Sequence, residues 1–293
     1  MKNTADIIAR KLLEYKMPKV VNLDSYRSEV EFLSANNLGP TALDDMVSQG
    51  YDVSHAAYVF TMNFTSVLSE QMASLKEAKK LFKILNDATE EYIPQGPPIS
   101  PLTNSYFSLW ACFDLVFGGG QVTIGNCALA FAEKAKIGRW LCDTLLFLSV
   151  SRMGFYVHCG KDGDFVKLRE IGTQEILYCH VPVDYKGKKG ELWFVRLAPA
   201  VFSPDKYFVV LTTPYIVVGY SESDYLSSFQ REFERTKLSV KKLDEETFLA
   251  DYYKFGSSRM HWNEYIFCAY TSHTKDAIFL TGVPDLKETL PHA

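Results

Sequence analysis

No Cys-x-x-Cys pair occurs in this chain of 293 residues. Its six cysteines, Cys112, Cys127, Cys142, Cys159, Cys179 and Cys268, are widely spaced, so neither a zinc ribbon nor a dithiol redox centre is written here. We read them as buried, reduced thiols of a cytoplasmic protein. A long uninterrupted apolar run is also missing. The richest stretch, 137–157, is broken by Arg139, Asp143 and Arg152, whereas a spanning helix needs about 20 apolar residues, so no membrane partner is expected. The first sixteen residues carry Lys2, Asp6, Arg10, Lys11 and Glu14 and have no apolar core of the kind a secretory signal requires. Charge of one sign is absent too: 31 basic and 35 acidic side chains leave a net −4, and no nucleic-acid partner is expected from so balanced a field.

The usual catalytic signatures are lacking as well. There is no Gly-x-Ser-x-Gly elbow, no His-Glu-x-x-His helix and no kinase set. The glycine-rich stretch Gly118-Gly119-Gly120 up to Gly125 has no Gly-Lys-Ser/Thr ending and follows a helical pattern, so it reads as a helix stop rather than a phosphate cradle. No cofactor and no metal is expected.

What is present is 47% hydrophobic residues against 23% charged, enough apolar mass for a sizeable core. The first half reads as successive helices, with apolar residues at three- and four-residue steps. Ile8, Leu12 and Tyr15 line an opening helix. Thr41 with Asp44, and Ser74 with Glu77, have capping-box spacing, which breaks the 54–92 run near Ala73 and makes Ser74 an N-cap. The prolines of 94–101 form a stiff loop. Ser100 then caps a helix carrying Leu102, Tyr106, Leu109, Trp110, Phe113, Val116 and Phe117, and helices follow over 125–136 and 139–151.

From Met153 the period falls to that of strands: 154–159, 165–171, 175–181, 192–198, 207–212 and 215–219, joined by short links that favour hairpins. Ser221 with Asp224 caps a helix bearing Leu226, Phe229 and Phe233. Helices over 244–253 and 259–271 follow, and the apolar run 277–281 is a closing strand. The expectation is an α+β fold. An antiparallel meander sheet over about 153–219 plus a C-terminal strand is covered by N-terminal and C-terminal helices, in a single compact domain with a helical half 1–152 and a sheet-containing half 153–293.

The best acid–base candidate is His261 with Glu264, three apart on a helix and therefore neighbours, with His273 and Asp276 following before the last strand. The other reading of these residues is a solvated helix face. His158-Cys159 and Cys179-His180 form a mirrored pair, but with tight turns the two histidines would share a face across an intervening strand, about 9.6 Å apart, with each cysteine on the opposite face. Asp164, Lys167 and Glu170 have the wrong order for a strand-borne nuclease motif. Two functional classes follow: a soluble intracellular binding or regulatory protein without its own catalysis, taking a protein or small-molecule ligand, or a metal-independent hydrolase or transferase using His261, Glu264 and His273.

Overall fold

Residues 4–16, 42–93, 100–117, 122–240, 242–257 and 261–291 are described by the computed structural model. Ten α-helices and one eight-stranded sheet lie among them. The chain contacts group into two units: residues 1–90, 108–150 and 200–203 form one, and 91–107, 151–199 and 204–293 form the other.

The first unit is helical. In α1 (Thr4–Lys16) Ile8 and Leu12 are fully buried, as their spacing implies. α2 spans Ala42–Ser48; Thr41, its expected cap, lies outside the described residues. α3 (Val53–Ala73) is opened by Asp52, whose carboxylate accepts the Ser54 and His55 amides. The break after Ala73 is present, but Ser74 ends this helix instead of starting the next. Its hydroxyl donates to the Gln71 carbonyl, and a short 3-10 turn over Lys76–Ala78 precedes α4 (Lys79–Tyr92). α5 (Asn104–Phe113), whose first four residues belong to the second unit, begins later than expected, because Thr103 and not Ser100 accepts the Tyr106 amide. The expected proline loop at 94–99 and glycine stop at 118–120 fall outside the described residues. α6 (Ile124–Lys134) is opened by a Thr123–Asn126 capping box, and α7 spans Arg139–Val150. Gly125 lets α6 approach the Phe113 ring, which any Cβ there would overlap.

The second unit holds the sheet. Six strands run close to expectation: β1 (Arg152–Asp162), β2 (Phe165–Glu170), β3 (Ile176–His180), β4 (Leu192–Pro199), β5 (Phe208–Val210) and β6 (Tyr215–Val217). α8 (Glu222–Lys237) starts at the Ser221–Asp224 capping box, α9 (Glu245–Phe255) at Asp244, and α10 covers His261–Ala269. Tyr270 and Thr271, expected at the end of that helix, belong instead to β7 (Tyr270–His273), which pairs with β8 (Ile278–Leu280).

The antiparallel meander must be corrected. The strand order is β1-β2-β3-β5-β4, and β4 pairs back with β1, closing a five-stranded barrel. β3 and β5 run parallel, as do β6 and β8, so the sheet is mixed. The long strand β4 makes this possible. One edge pairs with β1 along most of its length, while the other is shared, Leu197–Pro199 with β5 and Leu192–Phe194 with β6. The last strand does return to the sheet, through β6. Inside the barrel lie Tyr156, Val166, Leu168, Cys179, Trp193, Val195, Leu197 and Val210. On the other face of β1 and β4, Phe155 and Phe194 stack at 4.4 Å beneath aromatic residues of all three C-terminal helices, Tyr225, Tyr253 and Trp262.

Candidate functional site

Period-2 alternation sends Phe165, Lys167 and Arg169 of β2 outward while Val166, Leu168 and Glu170 point into the barrel. Residues opposite one another across a pair of strands share a face. The register sets Arg169 against Ile176 and Lys167 against Tyr178 on β3, and Val157 and Gly160 of β1 against the same two cations. The result is an outward face on which Ile176 and Tyr178 remain 52% and 43% exposed. Phe165 extends it by packing on Tyr207, with ring centroids 5.1 Å apart. The two cations are already answered. Arg169 makes a bidentate pair with Glu222 at 2.7 Å, which holds that carboxyl below its ordinary value, and Lys167 lies 3.8 Å from Asp162. Glu170, on the inner side of the same strand, pairs with Arg152 at 2.7 Å and takes the Thr173 hydroxyl. Lys167 and Glu170 therefore stand on opposite faces and cannot act together.

One end of the barrel is tied by a second polar group. The Glu191 carboxylate accepts from Tyr185 Oη at 2.6 Å, Trp193 Nε1 at 3.0 Å and the Lys188 amide at 3.0 Å. Burial pushes this carboxyl up, but the three donors outweigh it and leave it below its ordinary value. Beside it, His158 is buried: Nδ1 accepts the Gly160 amide at 3.1 Å, and Nε2 lies 3.0 Å from the Lys186 carbonyl.

His158 and His180 do not share a face as expected. A bulge between His158 and Gly160 inserts one residue into β1, so His158 stands opposite the inward Leu168, while His180 alternates outward from buried Cys179. A single extra residue flips every side chain on one side of it. Among the described residues no group of three or more His, Cys, Asp or Glu side chains is placed to hold a metal ion.

The expected acid–base residues fall on two successive elements. His261 and Glu264 occupy the first turn of α10, but the His261 side chain lies outside the described residues; Glu264 is exposed. His273 ends β7, exposed, with its Nδ1 2.6 Å from the Tyr270 hydroxyl. A carboxylate pair the sequence did not single out lies elsewhere. Asp285, held low by Arg231 and Ser228 despite its burial, neighbours Glu232, which burial pushes up. No spacing rule links residues 232 and 285, so only the fold could bring them together. No helix among the described residues is long and apolar enough to cross a membrane. No protein family, curated protein or solved structure matches the chain.

Proposed function

We propose that the chain is a soluble, cytoplasmic binding protein without catalysis of its own, and that its ligand lies across the outward face of β1, β2 and β3. The observation carrying this is the exposure of Ile176 and Tyr178 on β3, on the same outward face as the Phe165–Tyr207 stack. Adjoining apolar groups left open on one sheet face give a ligand apolar area to cover. The strand order, with β3 beside β5 in parallel, corresponds to the OB type of five-stranded Greek-key barrel, in which the face of the second and third strands takes extended ligands. Fold indicates where to look, and the side chains decide what binds. Here both cations of the face are engaged by Asp162 and Glu222, so a polyanion would gain little from them. An extended polypeptide with apolar side chains at alternate positions fits better, since its successive apolar groups meet Ile176 and Tyr178 while burying the aromatic rim. The acid–base reading at His261, Glu264 and His273 has no comparable observation behind it.

The test is selection from a displayed random-peptide library against the wild-type protein, followed by titration of the selected peptides with Tyr178→Ala and Ile176→Ser. Both side chains are exposed, so folding should be kept. Binding should weaken by about 2 kcal/mol at Tyr178, the scale of a buried aromatic anchor. Peptides that bind both variants as well as wild type would refute the placement, and an oligonucleotide bound more tightly than any peptide would refute the ligand class.

A further inference from the structure

We propose that the neutral imidazole of His158 is a pH-sensitive latch, holding both the bulge in β1 and the 181–191 segment at the end of the barrel. The hydrogen bonds assign the protonation state. An amide can only donate, so Nδ1, which receives the Gly160 N–H at 3.1 Å, must present its lone pair. A carbonyl can only accept, so Nε2, 3.0 Å from the Lys186 oxygen, must carry the hydrogen. One neutral tautomer satisfies both contacts, and a second proton would set N–H against N–H at Gly160.

The extra residue of the bulge is Cys159, between His158 and Gly160. A bulge leaves one residue without its ladder partner, and here the side chain of His158 reaches past that residue to accept the next amide of its own strand. The backbone of His158 is pinned as well, donating to Glu191 O at 2.9 Å and accepting from the Gly190 amide at 2.8 Å. The segment closes over the ring. Gly187 has φ +69°, and a Cβ there would lie 2.9 Å from the imidazole and overlap Trp193. Around the ring stand Trp193 from β4, the ladder partner Leu168 from β2, and Lys186 and Glu191 from the segment. Of these only Lys186 and Glu191 are charged. The Lys186 ammonium is engaged by the Val181 carbonyl, and the Glu191 carboxylate already receives three donors. Neither is hydrogen-bonded to Nδ1, whose contact is with the Gly160 amide. Protonation therefore breaks the latch. The bulge it frees includes Gly160, which pairs with Lys167 on the outward face, so the latch also sets the shape of that face.

Imidazole nitrogen resonances and amide exchange, followed from about pH 7.5 to about pH 5, test this directly. The ring should show the Nε2–H tautomer at the upper limit. As it takes its second proton, the amides of Gly160 and 184–190 should lose protection about tenfold per pH unit, while those of β4 keep theirs. In His158→Gln the pH-dependence of these amides should vanish. A ring that stays neutral throughout, or one that protonates with Gly160 and the segment still protected, would overturn the proposal, as would the same pH-dependent loss in His158→Gln. Should that variant not fold, the wild-type ring and amide data decide alone.

Discussion

Glu191, half-buried, and Glu232, buried, show how far one residue type can diverge with its partners. Glu191 receives three hydrogen bonds as a carboxylate, whereas burial dominates at Glu232, whose ion pair is with the largely exposed Arg235. The folded-state value of Glu191 is depressed, so its contribution is present above the unfolded carboxyl range and is lost as pH falls through the folded value. For Glu232 the folded value is raised, so the favourable contribution exists below the unfolded value and is lost as pH rises through the folded one. The two neutral substitutions should thus differ in sign at neutral pH. Glu191→Gln should lose about 1–3 kcal/mol, because its amide end turns a donor towards donors. Glu232→Gln should equal or exceed wild type by up to about 1 kcal/mol. Urea titrations at pH 7 and again near pH 4 measure both. Equal losses in the two variants, or a Glu191 deficit that does not shrink in acid, would contradict this account.

The elements show what could be read from the chain and what could not. Strand positions were legible because alternation fixes which side chains share a face, but alternation says nothing about which strand lies alongside. The parallel β3–β5 and β6–β8 pairs were therefore invisible, and short links suggested hairpins where β4 pairs back with β1. Cys159 gave no sign that it would be the extra residue of a bulge, so His158 was assigned to the wrong face. β7 was absorbed into the preceding helix because Tyr270 stands four residues after Ile266 and prolongs the apolar stripe. Ser74 failed for a different reason. A hydroxyl can accept from an amide ahead of it or donate to a carbonyl behind it, and capping spacing alone does not choose. Asp52, an acceptor only, has no such ambiguity. Asp52→Ala should accordingly cost about 1 kcal/mol, while Ser74→Ala, on the exposed end of α3, should stay within about 0.5 kcal/mol of wild type. Reversed ranking in urea unfolding would restore Ser74 as the cap that matters.

At the scale of the whole molecule, the order of residues along the chain bears on cooperativity. The two units are built from six alternating segments, so the chain passes between them five times, and neither unit is a continuous stretch that could be excised. Independent domains are normally joined by one linker with few crossings. This interleaving predicts that both units unfold in one transition, although two-state behaviour is less secure above about 150 residues. Pulse-labelled hydrogen exchange across a urea series separates the alternatives without any substitution. Peptides from α7 in the first unit and from β4 in the second should gain deuterium at the same urea concentration and with the same steepness, since one transition has one midpoint and one slope. Edge strand β7, with Thr271, Ser272 and His273 exposed, should exchange earlier through local opening and is not a marker of the transition. Distinct midpoints for α7 and β4 would mean two autonomous folding units, despite the repeated crossings of the chain.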